Sequence, residues 1–376
     1  MDLVSKALSS LKQALVSATT GSVLGLDIGT STVKVVQLRK EKEWAVLETY
    51  GEMALAPYMK MEVGRAVKLP KEKLAEAIKD LLKEANVKAR RAAISIPLKS
   101  SFVTVIKVPM LPDKELSEVI KLEARKYIPV PISEVVIDWW IFPEEESQIE
   151  ESGSDSNDEK KDERIFVKVL LVAIHKDTIT ERKEVASSAG LQISGLELES
   201  FSMIRSSLSR ESAPIAIIDL GASTSKVAIV DIGIMRASYA VNKGSQDLTL
   251  AMSNSLGIDF KRAEEMKREI GISDLPEHKE ISDIMETILE HIFSEIRTVI
   301  KNYQMKNKQA VARAILTGGG SMLKGIDALA VKNLNMEVSV SEPFLKTEFP
   351  MFLEETLKQG GLSFSIAVGL ALRELT

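Results

Sequence analysis

An aspartate, a glycine and a run of hydroxyl residues occur twice in this chain in the same order, in GLDIGTSTVKV (25–35) and IIDLGASTSKV (217–227). In register, Asp27/Asp219, Gly29/Gly221, Ser31/Ser223, Thr32/Thr224, Lys34/Lys226 and Val35/Val227 are identical. A tight turn of small residues exposes consecutive backbone N–H groups, and such a concavity holds an anion, phosphate being the commonest. Gly29 and Gly221 allow positive φ and close backbone approach. Ser31, Thr32, Ser223 and Thr224 add hydroxyl donors, with Thr30 and Ala222 in the same turns. Asp27 and Asp219 stand at strand ends, where a carboxylate can hold magnesium through its water shell. Lys34, seven residues after Asp27, is placed to reach phosphate, whereas its twin Lys226 reads as a strand residue facing solvent. One DxG turn is common in hairpins. Two matching turns point to a polyphosphate held from both sides.

A third element is TGGGS, residues Thr317, Gly318, Gly319, Gly320 and Ser321. Three glycines after a strand let a flat group lie on the backbone, or set a helix N-terminus near phosphate. Two familiar phosphate loops are excluded. No GxxxxGK[ST] string is present, and the twin turns run into strands (VKVVQL, KVAIV) rather than the helix that a dinucleotide fingerprint needs.

The elements that must carry these turns read as strands then helices, twice over. Residues 23–29 and 33–38 are a strand–turn–strand, and residues 71–86 have helical periodicity through Leu74, Ile78, Leu81 and Leu82. Short strands follow near 92–96 and 102–108, then a helix over 113–127 and a strand through Trp139 and Trp140. Residues 144–164 hold ten acidic and three basic residues with almost nothing to bury, a disordered loop by composition between two strand-like flanks. A helix ending near Gly190 leads to LQISGLEL and the second turn. Helices over 246–256, 260–270 and 281–306, a strand over 312–316 and an apolar closing helix complete the chain. The divisions expected are 1–20, an amphipathic segment; 21–97, the first lobe; 98–190, a small inserted subdomain; 191–212, the first-lobe return and connector; 213–355, the second lobe; and 356–376, the closing helix.

Composition narrows the function. A chain of 376 residues exceeds one comfortable core. A net charge of −5 argues against general nucleic-acid binding. There is no cysteine, and the three histidines (His175, His278, His291) lie far apart, so thiolate chemistry and a histidine metal centre are excluded. No stretch reaches the ~18 apolar residues of a spanning helix, and the N-terminus lacks a signal-peptide centre, so a cytoplasmic protein is expected. Leu3, Ala7, Leu8, Leu11 and Leu15 share one helical face beside Lys6 and Lys12. That face suits a membrane surface or a partner, or equally packing on its own domain.

Together these pieces resemble the actin/Hsp70/hexokinase superfamily, in which two hairpin phosphate loops and a glycine-rich adenosine loop close over ATP. AEEMKREIG (263–271) is similar to that group's AExxK element, which implies Glu264 and Lys267 beside adenosine. LELESF (196–201) falls where the superfamily has its inter-lobe helix, and Glu199 matches the glutamate near the attacking water. GLDIGTSTVKVVQL, AIIDLGASTSKVAIVD, VNKGSQDLTLAMSNSLGIDFKRAEEMK, LTGGGSMLKGIDAL and AVGLALREL fall where the PilM family of actin-like type IV pilus assembly proteins has them. Ala222 stands where many superfamily members have a second glycine.

The resemblance implies an α/β, actin-like (ribonuclease H-like) duplicated two-lobed fold with a small inserted α/β subdomain. It implies ATP with Mg2+ and a location at the cytoplasmic face of the inner membrane; turnover is expected to be slow or absent, since the sequence shows no obvious strong base apart from Glu199. It further implies a PilN-like cytoplasmic tail as partner, gripped between the first lobe and the insert near residues 102–107. Other inner-membrane pilus platform proteins are also implied, with membrane contact peripheral and mainly through partners. An FtsA-like division actin is the alternative, although the chain closes on LALRELT without that family's basic amphipathic tail. A hexokinase-like kinase would need a carboxylate on the acceptor hydroxyl, for which the sequence offers no clear candidate.

Overall fold

The computed structural model describes residues 21–142, 166–208, 211 and 213–375. The readings of residues 1–20 and of the acidic stretch 144–164 lie outside the described residues.

Three strands open the chain: β1 (Ser22–Ile28), β2 (Thr32–Glu41) and β3 (Trp44–Ala54), an antiparallel meander whose first connection is the first of the twin turns. Helix α1 (Lys71–Glu84) crosses to β4 (Arg91–Ile96), parallel to β1. The inserted unit is a three-stranded antiparallel sheet of β5 (Ser101–Pro109), β6 (Val135–Ile141) and β7 (Phe166–His175), with helix α2 (Asp113–Ala124) packed on it through Leu116 and Ile120. Helix α3 (Lys176–Ser188) returns the chain to β8 (Gln192–Leu198), parallel to β4, and α4 (Glu199–Ser207) leads away from it.

The second set begins with β9 (Ile215–Leu220), β10 (Ser225–Asp231) and β11 (Ile234–Val241), again a meander opening on a twin turn. Helices α5 (Ser245–Leu256), α6 (Phe260–Ile270) and α7 (Lys279–Asn307) follow, then β12 (Arg313–Thr317), α8 (Ile326–Leu334) and β13 (Glu337–Val340). The two sheets run β3-β2-β1-β4-β8 and β11-β10-β9-β12-β13, the same order twice, as a duplicated fold requires. A short β14 (Thr347–Glu348) joins the first sheet beside β3, so residues 347–348 of the 213–355 stretch pair with the opposite lobe. Helices α9 (Glu354–Gly360) and α10 (Ser365–Arg373) end the described chain.

Both faces of each sheet are covered, which is why the central strands read as apolar runs rather than alternations. In the first sheet Leu24, Leu26, Val33 and Val35 meet Leu74, Ile78 and Leu81 of α1, while Val36 and Leu38 meet Ala367, Val368 and Ala371 of α10. In the second, Ile218 and Ile229 pack on Ile292, Phe293 and Ile296 of α7. The opposite faces share a cluster in which Ile217 and Ala228 join Met203 and Ile204 of α4, Leu370 of α10 and Leu98 at the root of the insert. Helix α10 is apolar on every side because it is buried on every side. Two glycines make its approach possible. A Cβ on Gly25 would lie 1.9 Å from Ala367 O, and one on Gly369 would lie 1.9 Å from Ser202 O.

Candidate functional site

Each twin turn is closed by one backbone bond, Gly29 N–H to Thr32 O and Gly221 N–H to Thr224 O, both 3.1 Å. Neither glycine uses the positive φ that its type allows. Contact is the reason for glycine here. An added Cβ would lie 2.9 Å from Thr32 O in the first turn and 2.7 Å from Thr224 O in the second. The turns are buttressed differently. Val67 and Leu55 N–H groups donate to Thr30 O and Ser31 O of the first, whereas the opening N–H groups of α5 (Ser245, Gln246) donate to Gly221 O and Ala222 O of the second.

The two tips meet, with Thr30 Oγ1 and Ser223 Oγ 3.0 Å apart. The cleft they bound holds 760 Å³, within the range of about 300–1,000 Å³ usual for small-molecule sites. Its walls bring together Asp27, Gly29, Thr30, Ser31, Thr32 and Lys34 from one side and Asp219, Gly221, Ala222, Ser223 and Thr224 from the other. Glu264, Lys267, Gly318, Gly319, Gly320 and Glu199 complete the expected set. Ser321 is the exception. It is buried, its hydroxyl donates to Thr317 O at 2.5 Å, and it does not line the cleft. Its expected ligand role is therefore corrected to that of closing the glycine turn.

Within that turn Gly318 has φ +82, and a Cβ there would lie 2.0 Å from Asp219 Oδ1. The glycine loop and the second turn are thus fitted to one another.

Glu264 and Lys267 of α6 form a buried pair at 2.6 Å. Thr249 Oγ1 donates to Glu264 Oε2 at 2.6 Å, and Arg268 Nε donates to Oε1 at 2.7 Å. Burial works against ionisation of Glu264, but Lys267, Thr249 and Arg268 override it and hold the carboxyl below its ordinary value.

The other charged cluster lies beside the twin turns. Lys226 and Lys34 occupy the same register opposite Asp219 and Asp27, yet they do different things. Lys34 Nζ donates to Thr32 Oγ1 at 2.5 Å and lies 3.5 Å from Glu52. Lys226 Nζ lies 2.8 Å from Asp219 Oδ2 and 3.0 Å from Glu199 Oε2, with its side chain 13% exposed. The solvent-facing reading of Lys226 is wrong, and it lines the cleft. Burial opposes its charge, but the two carboxylates win and hold the ammonium well above its ordinary value. Glu199 Oε1 accepts from Leu98 N–H at 2.7 Å, and burial raises this carboxyl despite Lys226. Both oxygens of the expected catalytic glutamate are therefore engaged.

Among the described residues no group of three or more His, Asp or Glu side chains forms a metal cluster. The two expected magnesium carboxylates differ in fit. Burial pushes the Asp27 carboxyl up, against the pull of Lys34 and Lys226, so a cation would be welcome there. Asp219 already faces the Lys226 ammonium, which would oppose a metal ion at the same oxygen.

Sequence reasoning also missed Arg268, Met322 and Ser363 in the cleft wall, and a strap of residues 63–66 whose Val63 and Gly64 line the same cleft. In that strap Gly64 (φ +98) packs on Glu264, the Arg65 guanidinium lies 4.2 Å from the Phe260 ring, and Ala66 N–H donates to Gln246 Oε1. A Gly-Arg-Ala run in a loop has no periodicity to signal this.

A family model described as type IV pilus assembly protein PilM matches residues 25–375. A solved chain of the PilM-PilN type IV pilus biogenesis complex is similar at 26% identity and TM-score 0.77, over 94% of this chain and 98% of that one. The ethanolamine utilization protein EutJ of Carboxydothermus hydrogenoformans is similar at 16% identity and TM-score 0.53, over 93% and 89%. MreB5 of Spiroplasma citri, solved bound to ADP, is similar at 12% identity and TM-score 0.55, over 94% and 96%. At these lower identities the likeness is one of fold, the actin-like two-lobed α/β fold.

Proposed function

The chain belongs to the PilM family of type IV pilus assembly proteins, and from that premise we propose that it binds ATP between its lobes and grips the tail of a PilN-like partner. The observation that carries the nucleotide reading is the meeting of the twin turns, with Thr30 and Ser223 hydroxyls 3.0 Å apart over a shared cleft. Two anion-binding turns aimed at one space suit a polyphosphate. Glu264, Lys267 and Arg268 stand with Gly320 in the same cleft wall, where a nucleoside would lie. Magnesium entering with the nucleotide would neutralise phosphate charge and would be held through Asp27. Each lobe supplies half of the phosphate contacts, so bound nucleotide favours lobe closure.

For the partner, the carrying feature is the seam between insert and connector. Trp140 of β6, 58% exposed, meets Phe201 of α4 at a tilt of 51° with centroids 5.9 Å apart, leaving an aromatic wall for an extended tail. The solved relative is a complex with PilN, which supports that choice of partner. No helix among the described residues is long and apolar enough to cross a membrane. Attachment to the cytoplasmic face of the inner membrane through such a partner, alongside other platform proteins, is part of the same proposal.

The nucleotide reading is tested by melting the protein with ATP and magnesium. A hundredfold excess over Kd stabilises by about 2.7 kcal/mol, and no shift at millimolar ATP would sink it. The partner reading is tested by pull-down on a synthetic N-terminal peptide of a PilN-like protein, with and without ATP. Failure to retain the protein under either condition removes it.

A further inference from the structure

The duplication of the twin turns is broken at one atom. Lys34 Nζ stays within its own lobe, on Thr32 and Glu52. Lys226 Nζ leaves its strand and bridges Asp219 of the second turn to Glu199 of α4. The second oxygen of Glu199 takes the N–H of Leu98.

Leu98 is where the insert begins. It opens the short turn Leu98–Ser100 that leads into β5, and its side chain packs with Phe142 and Leu170 of the insert and with Met203 and Ile204 of α4. Phe201, two residues beyond Glu199, carries the ring that meets Trp140. Polar contacts therefore run from the phosphate end of the cleft through Lys226 and Glu199 to Leu98. Apolar packing on the insert side and the turn of α4 from Glu199 to Phe201 then lead to the two walls of the seam.

A lysine suits the first position, because its flexible stem lets a compact ammonium exchange one anion for another. A phosphate brought between the turns competes with Glu199 for that ammonium. Glu199, buried and deprived of its cation, cannot stay as it is, since an unpaired buried carboxylate is strongly disfavoured. It must move or take up a proton, and either change alters its hold on Leu98. Resting on the function proposed above, we propose that Lys226 is a phosphate ligand and that its exchange of Glu199 for phosphate carries nucleotide state to the partner seam. Glu199 is then a positioning residue.

The experiment measures the affinity of the PilN-like tail peptide with and without saturating ATP, saturation being set by calorimetry for each variant. In the wild type ATP changes the peptide Kd fivefold or more. In Glu199→Gln, which can still accept from Leu98 but has no ionic bond to Lys226, the ratio falls to within twofold. Lys226→Met behaves likewise, and Lys226→Arg restores the ratio, which a purely structural lysine would not show. A Glu199→Gln or Lys226→Met protein that keeps the wild-type ratio overturns the inference, and so does a wild type with no ratio to lose. Absence of any ATP heat in the wild type would instead remove the nucleotide reading itself.

Discussion

Replacing Gly318 by alanine separates two uses of glycine within one tripeptide. The residue sits at φ +82 and ψ 165, a region that costs an L-residue about 1–3 kcal/mol. Its new Cβ would also fall 2.0 Å from Asp219 Oδ1 and 2.9 Å from Leu220 O, where real Cβ contacts stay beyond 3.0 Å. Asp219 cannot step aside freely, because it is buried and its other oxygen is bonded to Lys226 at 2.8 Å. Breaking a hydrogen bond to a charged group costs about 1.5–3 kcal/mol, so the expected loss is about 3–5 kcal/mol, with Asp219 displaced from the cleft.

Gly319 is the internal control. It has no positive φ, and a Cβ there meets only Ser363 Cβ at 3.9 Å. Gly319→Ala should stay within about 0.5 kcal/mol of the parent. Urea unfolding compares stability, and ATP calorimetry compares the site. If Gly318→Ala and Gly319→Ala lie within 1 kcal/mol of each other and bind ATP alike, the fitting of glycine loop to second turn described here is wrong.

Other expectations follow from the same geometry. Asp27→Ala should fold and lose tenfold or more in magnesium-ATP affinity; a normal calorimetric titration of that variant would make the first turn structural only. Trp140→Ala, at a mostly exposed ring, should leave melting nearly unchanged while weakening the tail peptide about thirtyfold, the size of an aromatic hot spot of about 2 kcal/mol; unchanged peptide binding would remove the seam as the grip. Glu264 is held below its ordinary value of 4.5, so the stability it adds is complete above that value and lost as pH falls through the lowered one. The gap in stability between wild type and Glu264→Gln should therefore be constant near neutrality and close on acidification, and a gap that persists to strongly acid pH refutes the assignment.

Where pattern and local chemistry coincide, the chain could be read directly. The twin turns, the long amphipathic α7 and the buried runs of β1 and β9 all announce themselves. β3 does not, because its burial follows no clean alternation, and β13 and β14 are too short for any period. Helix α2 ends at Ala124 rather than at residue 127, because the three residues beyond form turns instead of extending the helical ladder. Lys226 is the instructive miss. Its sequence context equals that of Lys34, and only the tertiary placement of Glu199, on another element, decides which of the two lysines bridges two carboxylates. The glycines were found for an incomplete reason. At Gly29 and Gly221 the neighbouring carbonyl matters and handedness does not, a distinction that exists only once the turn is closed.

The position of β14 and α10 bears on how the molecule is made. Strands β1, β2 and β4 leave the ribosome well before Ala367, Val368 and Ala371, which cover one face of their sheet, and before Thr347, which pairs with its edge. Until α10 has emerged, the face carrying Val36 and Leu38 lacks the helix that packs on it. Domains usually fold as units in order of emergence, but here the earlier lobe is completed by α10, which follows the whole of the later lobe in the chain. Its assembly is therefore tied to completion of the later lobe, and a chain stopped short of α10 releases a half-clad sheet for chaperones to hold.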